Sequence, residues 1–157
     1  MKREEFSKET ASEITAGFNN RPEMLVQILH AFMDHFGFIS DEAERCLAEE
    51  LNMSRADVHG VVSYYHDFRT TPAARHVVKI CAAEACQAMG SRELTDHATT
   101  SLGLGLHNSN DAITLEPVYC LGNCACSPAI MVDGKTIGRV SAERFDEIMA
   151  TLAGGAT

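Results

Sequence analysis

The stretch VYCLGNCACSPAIMVDG, residues 118–134, places three cysteines, Cys120, Cys124 and Cys126, within seven residues. The 157-residue chain has six cysteines and no tryptophan, so half of its thiols crowd into one loop. The stretch ends on Asp133-Gly134, a pair suited to a two-residue turn with positive φ. AIMV-DG-KTIGRV therefore reads as a hairpin following the cysteine loop.

Upstream, AITLEPVYC reads as a strand with Pro117 near its end, and HVVKICA, rich in branched residues, as a buried strand. Between them, EACQAMGSRELTDHATTSLGL has helical character interrupted at Gly90. Downstream, SAERFDEIMATLA predicts a closing helix capped by Ser141, with Arg144 rather than an acid at N3. The trailing GGAT is expected to fray. The order βαβ-ββα predicts a small sheet flanked by helices.

The first half has a different character. MLVQILHAFMDHF spaces Met24, Leu25, Ile28, Leu29, Phe32, Met33 and Phe36 for one helix face, starting near Pro22 and stopping at Gly37. ISDEAERCLAEELN predicts a second helix capped by Ser40 or Asp41, with acids in its first turn and a stripe of Ala43, Cys46, Leu47 and Leu51. Cys46 lies on that stripe and reads as a small buried hydrophobe. MSRADVHGVVSYYHDF opens a third helix at Ser54, with Val58, Val61, Val62 and Tyr65 on one face. His59 and His66 share a side of it and read as ordinary surface or packing histidines rather than ligands. RTTPAAR breaks the pattern, and Pro72 marks a boundary. Residues 1–72 are thus expected to be a helical region and residues 73–157 a second domain.

Composition narrows the function. The chain is 45% hydrophobic and 22% charged, as folded proteins are. A net charge of −9 argues against nucleic acid as a partner, since phosphate needs a basic face. Residues 1–72 carry 7 basic and 13 acidic groups, against 6 and 9 in the remainder, consistent with a solvated acidic surface. No apolar run approaches the ~20 residues that span a bilayer. The opening MKREEFSKETASEITAGF lacks the apolar core of a secretory signal, so the expected location is cytoplasmic. Structural disulfides are rare there, and clustered cysteines more often bind metal or do redox chemistry.

Two cysteine pairs follow two strands: Cys81-x4-Cys86 and Cys120-x3-Cys124. Parallel strands would bring both loops to one end of the sheet and gather four thiols. Zinc favours tighter Cys-x2-Cys knuckles, although wider gaps occur. A [2Fe–2S] cluster needs two thiolates on each iron and suits two wider pairs. Gly122 and the small Ala82, Ala83, Ala85 and Ala125 would let backbone N–H groups approach the sulfurs and offset a site charge of about −2. On residues alone, [2Fe–2S] ranks ahead of a zinc-stabilised binding module. Free redox thiols come last, because Cys-x-x-Cys is absent. Cys126 remains an alternative to Cys124 as fourth ligand. Gly122 and Asn123, which supply the tight turn its pair needs, favour Cys124. No Ser-His-Asp or paired-carboxylate pattern calls for a separate catalytic role.

VVSYYHDFRTTPAARHVVKICAAEAC together with LEPVYCLGNCACSPAIMVDGKTIGRV resembles the thioredoxin-like [2Fe–2S] subunit of NADH dehydrogenases, the 24-kDa subunit of respiratory complex I. CAAEACQAMG and LEPVYCLGNCACSPA resemble still more closely the gamma subunit of cytoplasmic NAD-dependent formate dehydrogenases. The resemblance implies an α+β chain: an N-terminal three-helix bundle, then a thioredoxin-like domain with a small mixed sheet flanked by helices. It implies a [2Fe–2S] cluster on Cys81, Cys86, Cys120 and Cys124. It also implies a partner subunit that binds FMN, NAD and a [4Fe–4S] cluster, and in the formate enzymes a molybdenum subunit with a bis-pterin cofactor. Quinone-reducing complexes and NAD-linked hydrogenases use an equivalent subunit. GLGLHNSN lacks the Gly-x-Gly-x-x-Gly form and its strand-to-helix setting, so nucleotide and flavin are expected on partners.

Overall fold

The computed structural model describes residues 5–154. The chain divides into two compact units at Pro72–Ala73.

The first unit holds four α-helices among the described residues, one more than the three read from the sequence. The additional helix, α1 (Lys8–Ala16), has too few apolar residues for a clear stripe. Ser7 caps it by accepting from the Thr10 N–H, and Ala11 and Thr15 are its buried positions. A single 3-10 turn at Pro22–Met24 leads into α2 (Leu25–Phe36). Gly37 ends α2 at φ 83, and its N–H donates to the Met33 carbonyl at 2.9 Å. The Ser40 hydroxyl accepts from Ala43 N–H at the start of α3 (Asp41–Glu50), and Ser54 does the same from Asp57 N–H for α4 (Arg55–Tyr64).

Leu25, Ile28, Leu29, Phe32 and Phe36 of α2 meet Cys46, Leu47, Leu51, Val58 and Val62 in one core. Cys46 is buried there as expected, and burial, with Glu50 nearby, pushes its thiol above the ordinary value. Tyr65 lies past the end of α4 and is half-exposed rather than on the buried stripe. Glu44 departs from the expectation of a solvated acidic first turn. Its carboxylate is 2% exposed and lies 3.1 Å from His59 Nδ1, with Arg55 Nε at 3.9 Å. His59 thus partners a buried acid, and His66 is exposed.

The second unit is a five-stranded sheet in the order β2-β3-β1-β4-β5. Its strands are β1 (His76–Cys81), β2 (Asn108–Ser109), β3 (Ile113–Val118), β4 (Ala129–Val132) and β5 (Lys135–Gly138). β1 and β3 are parallel and the other pairs antiparallel. The parallel pair needs a long crossover, supplied by α5 (Glu84–Ala88) and α6 (Ser91–Leu102), which Gly90 separates at φ 92. The two-residue β2 was not legible in the sequence. Asp133 and Gly134 both have positive φ, 48 and 82, in the hairpin turn between β4 and β5. The closing helix α7 (Ala142–Gly154) is capped by the Ser141 hydroxyl, which accepts from Arg144 N–H at 3.2 Å. Gly154 of the terminal GGAT belongs to α7, and residues 155–157 lie outside the described residues. Leu94 and Ala98 of α6 and Phe145 and Met149 of α7 join Val78, Ile80, Leu115 and Ile130 in the sheet's core. No helix of the described residues is long and apolar enough to cross a membrane.

Phe32, fully buried and edge-on to Phe36 at 5.4 Å, is the test of the first core. Phe32→Ala is expected to cost that unit about 3–5 kcal/mol in urea unfolding followed by circular dichroism.

Candidate metal centre

β1 ends on Cys81, whose register partner on the parallel β3 is Val118, two residues before Cys120. Ala82 N–H donates to the Val118 carbonyl at 2.8 Å and carries the pairing one step past the strand end. Both cysteine loops therefore leave the sheet at the same end. The Gln87 side chain donates to the Ala82 carbonyl at 2.6 Å and fixes the first loop.

Cys81 and Cys86 are buried, each 2% exposed, whereas Cys120 and Cys124 face solvent. Cys120 Sγ and Cys124 Sγ lie 3.9 Å apart. Burial pushes the Cys81 thiol up. The N–H of Ala83, the neighbouring Cys86 thiol and the N–H groups of Leu121 and Cys120 outweigh it and hold that thiol below its ordinary value. Cys124 is held above its ordinary value, first by its hydrogen bond with Cys120, then by the charge that thiol can carry, with Cys86 and Cys81 adding to it. The four sulfurs thus lie within electrostatic reach of one another. They are arranged as two pairs, and among the described residues no three Cys, His, Asp or Glu groups close around a single ion position.

The backbone of the second loop is unusual. Cys120 has φ 98, a region that costs a non-glycine residue about 1–3 kcal/mol and that gathers at functional sites. Gly122 follows at φ 70 and donates its N–H to Cys120 Sγ at 3.4 Å. A Cβ on Gly122 would meet open space, so its backbone angle, not crowding, calls for glycine there.

Cys126 takes a different position. Its N–H donates to the Asn123 carbonyl at 2.9 Å, and its carbonyl accepts from Arg139 N–H at 2.7 Å. Its Cβ abuts Gly138 of β5. A Cβ built on Gly138 would lie 2.6 Å from Cys126 Cβ, 2.6 Å from the Cys126 carbonyl oxygen and 2.7 Å from Asn123 Nδ2. Gly138 lets the cysteine loop lie against the sheet. Sequence reading passed over it, although a glycine inside a strand pattern marks such close approaches. Ser127 was also missed; its hydroxyl lies 3.3 Å from Cys86 Sγ.

Residues 11–153, most of the chain, match the family described as thioredoxin-like [2Fe–2S] ferredoxin. The chain belongs to that family. It is 32% identical to a subunit of the NADH-quinone oxidoreductase of Pseudomonas aeruginosa over 117 residues, covering 73% of this chain and 70% of the relative. It is 28% identical to the HndA subunit of the NADP-reducing hydrogenase of Solidesulfovibrio fructosivorans over 129 residues, covering 80% and 75%. Its fold is similar to part of an NAD+-reducing [NiFe]-hydrogenase structure, at a TM-score of 0.70 and 20% identity over 85% of this chain. The chain spans 23% of that larger one. An all-sulfur donor set in two pairs, with peptide N–H groups turned toward it, fits the cluster of this ferredoxin family.

Gly138→Ala is expected to displace the Asn123–Cys126 turn and lower the chain's iron content and visible absorbance, while a control at the exposed, unobstructed Gly60 does neither.

Proposed function

We propose that this chain is the [2Fe–2S] electron-carrying subunit of a cytoplasmic NAD-dependent formate dehydrogenase, ligating its cluster through Cys81, Cys86, Cys120 and Cys124. The observation that supports the cluster assignment is that both cysteine loops leave the same end of the parallel strands β1 and β3, with the N–H groups of Leu121 and Cys120 reaching the Cys81 sulfur.

When bound, the cluster supplies reversible uptake of one electron at a time. The chain's own groups set the conditions for it. Peptide N–H groups of Ala83, Leu121 and Cys120 face the Cys81 sulfur, and that of Gly122 faces the Cys120 sulfur. Their dipoles offset thiolate charge in a chain of net charge −9. Burial of Cys81 and Cys86 excludes water from one side. Exposed Cys120 and Cys124, beside the exposed Tyr119, give a partner its shortest approach. That partner is a flavin subunit carrying FMN, the NAD site and a [4Fe–4S] cluster, and a bis-pterin molybdenum subunit oxidises formate.

The wording of CAAEACQAMG and LEPVYCLGNCACSPA favours the formate complex. The names of the Pseudomonas and Solidesulfovibrio relatives support a second reading, the equivalent subunit of a quinone-reducing complex or a hydrogenase. Purification of the native complex with formate, hydrogen and NADH tested as donors decides between them. Formate-dependent NAD+ reduction is expected, and hydrogen- or NADH-only turnover would move the chain to the second reading.

The ligand set has its own test. Cys120→Ser is expected to abolish or alter the visible and EPR signal of the dithionite-reduced chain, and Cys46→Ser to leave it intact. A colourless, zinc-loaded protein, or a Cys120→Ser variant with the parent spectrum, would overturn the assignment.

A further inference from the structure

Ser127 joins the two cysteine loops. It is 9% exposed. Its hydroxyl oxygen lies 3.3 Å from Cys86 Sγ, a thiol that α5 brings from 41 residues away. The same hydroxyl donates to the Cys124 carbonyl at 2.9 Å. It therefore touches the sulfur of one proposed ligand and the backbone of another, from opposite loops.

Proton counting gives this contact a direction. A hydroxyl has one hydrogen to donate. In the metal-free chain either the Cys86 S–H or the Ser127 O–H can be the donor across the 3.3 Å contact, and Oγ–H also donates to the Cys124 carbonyl at 2.9 Å. As a metal-bound thiolate, Cys86 has no hydrogen to give. The serine hydrogen then faces two acceptors, one of them charged, and hydrogen bonds to charged acceptors are roughly twice as strong as neutral ones. Turning the hydrogen toward sulfur needs only rotation about the C–O bond.

We propose that Ser127 is a positioning residue for the cluster: its hydroxyl donates to the Cys86 sulfur in the loaded chain, orients that ligand and raises the reduction potential. This rests on Cys86 being a cluster ligand. Hydrogen bonds to cluster sulfurs raise the potential because reduction adds negative charge, which a donor stabilises. One electron enters from the partner, and Ser127 neither gains nor loses a bond or proton. The backbone donors named above face Cys81 and Cys120 instead.

The experiment uses the full chain with its cluster, as parent, Ser127→Ala, Ser127→Gly and Ser127→Thr. Iron and sulfide counts and EPR come first. A parent without two irons and two sulfides per chain overturns the cluster reading itself, independently of Ser127. EPR-monitored redox titration then reads the proposal. The two hydroxyl-free variants are expected to be reduced about tenfold less favourably, about 59 mV lower for a one-electron couple, and threonine to restore the parent value. A loaded hydroxyl-free variant with the parent potential overturns the proposal. Loss of loading in both hydroxyl-free variants, with retention in threonine, supports the positioning role, whereas loss in all three overturns it.

Discussion

Parallel pairing of β1 with β3 is the constraint on which the site depends. Strands hydrogen-bonded in the same direction end on the same edge, so whatever follows each of them shares a region of space. Here Cys81 closes β1, and Cys120 comes two residues after its register partner Val118. Had the crossover through α5 and α6 been replaced by a hairpin, the two loops would lie at opposite ends of the sheet. The interleaved apolar residues of these strands, Val78, Ile80 and Leu115, hold the pairing in register by burying one set of side chains with α6 and α7.

Gathering sulfurs in an acidic chain creates an electrostatic problem, which the loop backbone addresses. Peptide N–H groups supply offsetting partial charge: those of Ala83, Leu121 and Cys120 at the Cys81 sulfur and that of Gly122 at the Cys120 sulfur. Aiming them uses φ 98 at Cys120, which a non-glycine residue avoids, and φ 70 at Gly122, which glycine adopts freely. Their persistence depends on support from outside the loop. Gly138 supplies it by allowing Cys126 to sit flush against β5, and the hydrogen bond from Arg139 N–H to the Cys126 carbonyl pins it there. Cys126 thus reads as part of the scaffold that places Cys124.

The helical unit follows simpler rules. Capping by Ser7, Ser40 and Ser54 satisfies N–H groups at three helix starts, and a core around Phe32 holds the helices together. The buried Glu44 is its exception. A carboxylate removed from water needs a partner, and the otherwise exposed His59 turns its Nδ1 toward it at 3.1 Å.

Much of this was legible in the residue order alone. The stripe of α2, the caps at Ser40 and Ser54, the break at Gly90, the Asp133-Gly134 turn and the paired cysteines are local patterns, governed by backbone geometry and spacing within a few residues. α1 was not legible because its buried face rests on only Ala11 and Thr15, and β2 because two residues carry no periodicity. Only the tertiary structure decided that both cysteine loops leave one end of the sheet, that Cys126 turns to Gly138, that Ser127 reaches Cys86, and that Glu44 is buried beside His59. Each of those depends on which distant segments share a surface, and that follows from chain-wide packing and strand direction, which no short window of sequence records.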